Sequence, residues 1–337
     1  MNNIMYNKNI LITGVTGFVG GNLAKQLNDL GANIFGIVRN ENPTCFLTFE
    51  KLDKKIRLIK GDLSQVNFMY DLITENNIEY IFHLAAQVEV GVAIKNPYLT
   101  FETNVRGTYN LLEACKRAKD AGHQIKSIIV ASSDKAYGEY PVEKMPYEES
   151  YPLIPKYPYD TSKACADMIS KSYSIDEYGL PIIITRFANI YGPGQLNFSA
   201  IVPDSIRGAL GYTKLIPRSN GLMVRDFLFV EDVSDLYITI SEHLSKKPNL
   251  SGEIFNAGSN SPIDIKSLVK LIYNLLGNKS ELNRIIAEMD GKKTVGEIFH
   301  QHMSYKKVHE YFGWKPKNSL ESGLKSSIKW YKKYLNQ

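Results

Sequence analysis

Three glycines spaced three apart, Gly14-x-x-Gly17-x-x-Gly20, separate the apolar run Asn9-Ile-Leu-Ile-Thr13 from a helical pattern over Gly20 to Leu30. Strand, tight turn and helix in that order open a doubly wound sheet, with backbone N–H groups and the positive end of the helix turned toward a pyrophosphate. Gly14 permits the turn, Gly17 lets backbone and phosphate approach, and Gly20 lets the helix pack on the strand. Thr16, Phe18 and Val19 lie between them and complete this part of a candidate cofactor site.

The rest of the chain repeats the alternation. Asn33 to Val38, Ile56 to Lys60, Tyr80 to Ala85, Ser127 to Ser132 and Pro181 to Arg186 are short β-branched runs with helical patterns between most of them. That order predicts an α/β fold, a doubly wound parallel sheet of Rossmann type. Beyond about residue 190 the pattern loosens around Pro193, Pro203 and Pro217. A dinucleotide-binding domain over 1–190 and a smaller substrate lobe over 191–337 are expected. Within the lobe, Arg225 to Val230 reads as a strand running into a helix near Asp232, which is placed to cap it. Ile265 to Leu276 and Leu320 to Leu335 read as helices whose apolar stripes face the core.

With 337 residues, 44% apolar and 22% charged, the chain can bury a sizeable core, which sets disorder and low-complexity architecture aside. Forty Lys and Arg against 35 Asp and Glu leave a net charge of +5, spread without a long basic run. Such a surface suits an anionic small molecule better than nucleic acid. Apolar stretches are strand-sized, far short of the roughly 20 residues of a membrane helix. The stretch from Met1 to Lys8 lacks signal-peptide features, so the cytoplasm is the expected compartment. Cys45, Cys115 and Cys165 have no metal-ligand spacing and read as reduced structural residues; no metal site is expected.

At the end of the second strand, where an acid would meet the adenosine ribose of NAD, the chain reads Val38-Arg39-Asn40. Arg39 either pairs with a 2′-phosphate and selects NADP or stacks on adenine beside NAD, the first being slightly favoured. Asp62, followed by Leu63, is placed for the adenine amino group or for an ordinary helix cap. Leu84, Ala85 and Ala86 put small and apolar groups where cofactor and backbone crowd; His83 reads as structural.

Tyr159 and Lys163 stand one helical turn apart on one face. A phenol is a poor base at its ordinary pKa of about 10, and a neighbouring ammonium favours the phenolate. Such a lysine also suits the nicotinamide ribose. Ser133, Asp134 and Lys135 follow a strand, so their side chains emerge at the carboxyl edge where doubly wound folds place their chemistry. Ser133 suits a substrate hydroxyl; Asp134 and Lys135 are the informative pair, with a solvated turn and a local ion pair as the plain alternative.

Taken in order, Gly14-Val-Thr-Gly17-Phe-Val-Gly20, His83-Leu-Ala-Ala-Gln87, Thr103-Asn-Val-Arg-Gly-Thr108, Ser132-Ser-Asp-Lys-Ala-Tyr-Gly138, Tyr159-x-x-x-Lys163, Arg186-Phe-Ala-Asn189-Ile-Tyr-Gly-Pro193 and Arg225-Asp-Phe-Leu-Phe-Val-Glu-Asp232 resemble the extended short-chain dehydrogenase/reductase family. With Asn197-Phe-Ser199 and Ile201-Val-Pro203, the Ser-Asp-Lys triplet is most similar to nucleotide-sugar 4,6-dehydratases, above all the CDP-glucose type. The resemblance implies that Tyr159 takes the proton of the sugar 4-hydroxyl as hydride leaves C4 for a tightly bound NADP or NAD, which is regenerated each turnover. Water is then lost across C5 and C6, with Asp134 as acid, and hydride returns to C6. Many relatives carry Glu as the C5 base at the position of Lys135. Lys135 therefore either acts as that base when neutral or stays charged and stabilises the enolate.

The resemblance also implies that Asn189, Asn197 and Arg225 meet the nucleotide diphosphate of an NDP-hexose, a role for which an Arg fork suits phosphate oxygens. Gln87, Glu89 and Asn104 are placed near the sugar or as supports for the backbone there; Phe198 and Tyr212 are candidate stacking groups for the base. By analogy, helices around Phe101 to Arg117 and Tyr159 to Glu177 pair across a homodimer. Two other functions fit the scaffold: a 4-epimerase or 4-dehydrogenase, which needs neither Asp134 nor Lys135, and a non-catalytic dinucleotide sensor.

Overall fold

The computed structural model describes residues 4–40, 42–292 and 298–336, so the first three residues of the N-terminal stretch read above lie outside it. Its centre is a seven-stranded, all-parallel sheet. Six strands come from before residue 190: β1 (Asn9–Thr13), β2 (Asn33–Val38), β3 (Arg57–Lys60), β4 (Tyr80–His83), β5 (Ser127–Ala131) and β6 (Ile182–Phe187). The seventh, Ile254–Ala257, pairs with β6 and closes the order Ile254–Ala257, β6, β5, β4, β1, β2, β3.

Both faces of the sheet are covered, which explains runs without polar alternation. In β1, Ile10 and Ile12 point into one core with Leu23 and Leu27 of helix α1 (Phe18–Asp29) and Leu236 and Ile240 of the helix Val230–Lys246. Leu11 points the other way, into a core with Leu72, Leu111, Cys115 and Ile128. Each such side chain contributes roughly 1.5–3 kcal/mol through burial.

Residues beyond 190 supply the seventh strand and the helix Val230–Lys246 against α1, as well as a separate group of short strands and helices. In that group Val224–Arg225 lies between Ile263–Asp264 and His300–Gln301. Helices Ile265–Leu276 and Leu320–Leu335 form where their periodicity places them, and their stripes, including Leu268, Ile272, Leu324 and Ile328, are core. Asp264 caps the first by accepting from Ser267 N at 2.8 Å, and Gly277 ends it in the left-handed region.

Three local expectations change. α1 begins at Phe18, two residues early, because Gly17 already stands at its cap position. β4 ends at His83 rather than Ala85, where the chain leaves the sheet to pass over Gly14. Asp232 lies inside the first turn of Val230–Lys246 instead of capping it, and its carboxylate accepts from Lys317 N, Asn318 N and Asn318 Nδ2 at 3.0–3.1 Å. It thereby ties the approach to the last helix onto the sheet layer.

Candidate active site

The loops after β4, β5 and β6 converge over a cavity of about 580 Å³ at the carboxyl edge of the sheet. Leu84 and Ala86 come from the first loop, Ser132 to Lys135 from the second, and Ala188 and Asn189 follow Phe187 at the end of β6. Tyr159 and Lys163 enter from the helix Pro158–Tyr173, and Asn197 and Arg225 from beyond residue 190.

The glycine turn borders this space. Gly14 has φ +73°, and a Cβ there would stand 2.8 Å from the backbone of Ala85. One at Gly20 would meet the Gly14 carbonyl at 2.2 Å. No side chain caps α1 and no acid lies in its first turn, so its positive end is left for an anion. Val19 lines the same cavity as Tyr159, while Thr16 and Arg39 line a second one of about 610 Å³ beyond the end of β2. Lys60 and Asp53 share that second wall, and Asp53 Oδ1 is buried with no hydrogen-bond partner among the described residues. Pyrophosphate cradle, cationic end and orphaned acceptor together fit a dinucleotide. Asp62 accepts from Ser64 N at 2.7 Å, a bond that holds its carboxyl below the usual range, and Leu63 packs against Gly107.

Tyr159 is nearly buried, and burial pushes its phenol up, against the pull of a hydrogen bond with Ser133 and with a further push from the charge of Asp134. Lys163 is brought down to about 8 by the same burial and donates from Nζ to the Ala131 carbonyl at 2.9 Å. The expected depression of the phenol by an adjacent ammonium is therefore not the governing effect: desolvation of both groups outweighs it. His83 sits between Thr13 Oγ1 (2.8 Å) and Thr108 Oγ1 (2.9 Å), pushed down to about 3 by burial and by the Lys163 charge, a neutral structural residue.

Asp134 and Lys135 lie on a single 3₁₀ turn, Asp134–Tyr137. Ser133 caps it by accepting from Lys135 N at 3.2 Å and donates to Asp134 Oδ1 at 3.0 Å. Asp134 is 4% exposed, so this is no solvated surface turn. Lys135 Nζ reaches Gln301 Oε1 at 2.7 Å. A buried fork holds the turn from below: Arg186 donates from Nε and Nη2 to Asp167 at 2.7 and 3.0 Å and from Nη1 to Tyr137 Oη at 2.8 Å.

Among the remaining candidates, Asn189, Asn197 and Arg225 line the same cavity as Tyr159. Arg225 Nη1 donates to Val224 O at 2.8 Å and Phe299 O at 3.3 Å. Asn104 supports backbone: it accepts from Gln87 N at 2.7 Å and donates to Gln87 O and Ser162 Oγ. Gln87 binds Thr100 and the Glu89 carbonyl; neither Gln87 nor Glu89 lines the cavity. Phe198 stacks under Arg207 at 4.4 Å, and Tyr212 hydrogen-bonds Asn336, so neither faces the cavity. Sequence reasoning passed over Asp160, Asp167 and Gln301; only Asp160, beside Tyr159, carried a usable signal.

The sequence profile of the GDP-mannose 4,6 dehydratase family matches residues 11–327. The chain belongs to that family. It is 28% identical over 334 residues to dTDP-D-glucose 4,6-dehydratase of Bos taurus, covering 97% of this chain and 89% of the relative. Among solved structures, UDP-glucose 4-epimerase of Thermotoga maritima with UDP-glucose superposes with a TM-score of 0.83 at 27% identity, covering 97% and 99% of the two chains. dTDP-glucose 4,6-dehydratase of Bacillus anthracis in complex with NAD gives 0.81 at 28% identity and 97% of each chain. The fold is that of the extended short-chain dehydrogenase/reductase enzymes that act on nucleotide sugars. No helix among the described residues is long and apolar enough to cross a membrane.

Proposed function

We propose that the protein is a nucleotide-sugar 4,6-dehydratase that converts an NDP-hexose to the NDP-4-keto-6-deoxyhexose. The observation that carries this reading is the presence of Asp134 and Lys135 on the wall of the same cavity as Tyr159 and Lys163. A 4-epimerase or 4-dehydrogenase needs only the second pair.

The glycine turn, Leu84 to Ala86 and Lys163 would hold NAD or NADP. When bound, the oxidised nicotinamide carries positive charge and supplies the acceptor for hydride from C4, later returned to C6. Tyr159 would act as phenolate, favoured against the push of burial by that positive charge and by Lys163, and takes the 4-hydroxyl proton on its phenolic oxygen, with Ser133 as hydrogen-bond partner. Oxidation at C4 makes the C5 proton acidic. Lys135 either takes that proton on a neutral Nζ or, as ammonium, stabilises the enolate oxygen. Asp134 gives its proton to the departing 6-hydroxyl; proton transfer of this kind contributes about 10² to 10⁴-fold.

Residues 1–190 carry the chemistry in this reading, and 191–337 mainly the sugar nucleotide, with Asn189, Asn197 and Arg225 toward its phosphates. Arg39 and Lys60 favour a 2′-phosphate, and hence NADP, while Asp53 offers an acceptor to a hydroxyl. Exposed Ile94, Tyr98 and Met168, on helices Val90–Lys95, Pro97–Phe101 and Pro158–Tyr173, suit a homodimer contact. Incubation with CDP-, GDP-, UDP- and dTDP-hexoses tests the activity: one of them loses a single water. The similarity to UDP-glucose 4-epimerase favours epimerisation as the second reading, in which the product keeps its mass.

A further inference from the structure

No residue of the last helix, Leu320–Leu335, lines either cavity, yet three of its aromatic side chains hold the walls of both. Trp330 and Tyr334 stand one turn apart, their rings stacked with centres 4.9 Å from each other, against the segment 42–50 that follows β2. Trp330 donates from Nε1 to Glu50 Oε1 at 2.9 Å, and Tyr334 donates from Oη to the Thr44 carbonyl at 3.1 Å. Phe49 packs edge-on against both rings, at 5.1 and 5.3 Å. The two hydrogen bonds grip the segment near both of its ends.

The same segment forms a wall of the second cavity: Pro43, Cys45, Leu47 and Thr48 line it together with Arg39. It is stiffened from within, since Asn42 accepts from Thr44 N and Thr44 Oγ1 through Oδ1 and from Thr48 Oγ1 through its carbonyl, at 3.1–3.3 Å. A displacement at Thr44 or Glu50 is therefore passed to the cavity face. Phe46 anchors the segment to the fold, its ring so close to Gly21 of α1 and to Gly194 that a Cβ at either would stand 2.9 or 2.4 Å from it. Tyr331 turns elsewhere. It donates from Oη to the Gln195 carbonyl, and Gln195 and Asn197 line the cavity that holds Tyr159. One stretch of helix thus supports a wall of each cavity through different side chains.

An N–H donated to a carboxylate is among the stronger hydrogen bonds, and a binding wall that is seated only part of the time lowers apparent affinity by that fraction. We propose that Trp330, with Tyr334, is a positioning residue for the adenosine end of the cofactor: by holding Glu50 and Thr44 it keeps the segment 42–50 seated as the wall of the second cavity. Affinity for the adenosine half then depends on a helix that does not line the cavity. This role rests on the reading of that cavity as part of the dinucleotide site.

The test uses full-length protein and two probes that carry only the adenosine end, 5′-AMP and 2′,5′-ADP, titrated by calorimetry; the second has the 2′-phosphate of NADP and the first lacks it. Trp330→Phe keeps a ring and removes the donor, and Glu50→Ala removes the acceptor. Each weakens the tighter-binding probe about ten-fold, and the double variant loses no more than either alone, because both remove one contact. Glu50→Gln retains an acceptor oxygen and stays within about twofold of the parent. Tyr331→Phe, on the same helix but holding the other cavity, also stays within about twofold. Unchanged affinity in Trp330→Phe and Glu50→Ala, additive losses in the double variant, or an equal loss in Tyr331→Phe overturns the proposal, the last because it would mark a general loosening of the helix. A parent that binds neither probe overturns the dinucleotide reading of the cavity and this role with it, whereas a parent that binds while the variants match it fails this inference alone. Neither probe requires turnover, so a protein that dehydrates no sugar nucleotide fails the dehydratase reading alone. Should Trp330→Phe not fold, Glu50→Ala against Glu50→Gln, at a half-buried position, decides the outcome.

Discussion

Lys163 donates from Nζ to the Ala131 carbonyl at 2.9 Å, which fastens the helix Pro158–Tyr173 to the carboxyl end of β5. The contact sets Tyr159 and Ser133 side by side, and it keeps an amine in a site where burial opposes its charge.

That opposition has a pH signature. Lysine in the unfolded chain titrates near 10.5 and Lys163 in the fold near 8. Below pH 8 both states hold the proton and the buried charge opposes folding, by about 3 kcal/mol at 1.36 kcal/mol per unit. As pH rises from 8 through 10.5 the folded state sheds the proton first, and stability is recovered. Lys163→Met is expected to be inactive yet more stable than the parent at pH 7 by about 1–3 kcal/mol, since about 1 kcal/mol is lost with the hydrogen bond. The gain shrinks toward pH 10. Urea unfolding at the two pH values measures it, and a variant less stable at both would refute the burial argument.

The Arg186–Asp167 fork carries the opposite sign. Both residues are buried, and Arg186 also stacks on Tyr137, 4.7 Å from the ring centre. Asp167→Ala leaves a buried guanidinium without its partner and is expected to cost about 3–5 kcal/mol. Chemical denaturation reads this directly; a loss below about 1 kcal/mol would mean that the pair is not what holds the Asp134–Tyr137 turn.

The choice of cofactor is tested at Arg39. With a 2′-phosphate as its partner, Arg39→Ala weakens NADPH binding about ten-fold, equivalent to 1.4 kcal/mol, and leaves NADH within about twofold. Nucleotide fluorescence titration checks both. Equal losses would assign Arg39 to adenine stacking and the site to NAD.

Asp134→Asn keeps the shape of the turn and removes the carboxyl proposed as proton donor. The first half-reaction is expected to survive, seen as a rise in absorbance of reduced cofactor on mixing with substrate, while loss of water slows about 10² to 10⁴-fold. Full dehydration by the variant would move the acid elsewhere.

The sheet was legible because strands buried on both faces are continuous apolar runs and the glycine turn marks where the first of them ends; Asn33 to Val38 is read to the residue. The seventh strand, Ile254–Ala257, was not legible, since four residues between polar neighbours carry no periodicity. At the site, Ser133, Asp134, Lys135, Tyr159 and Lys163 fall on one cavity as their spacing suggested, because a loop at a strand end and one helical face are local features. Gln301 was invisible for the converse reason: its contact with Lys135 spans the chain, and a lone Gln on a two-residue strand has no pattern. For Tyr159 the sequence shows the neighbouring ammonium but not desolvation, and burial is the largest push on its phenol.

The most direct test of the account follows one hydrogen. With the accepted NDP-hexose deuterated at C4, the account predicts a product that has lost water and carries the label at C6. Label retained at C4 in an epimer of unchanged formula, or released from a simple 4-keto product that keeps its 6-hydroxyl, would contradict it.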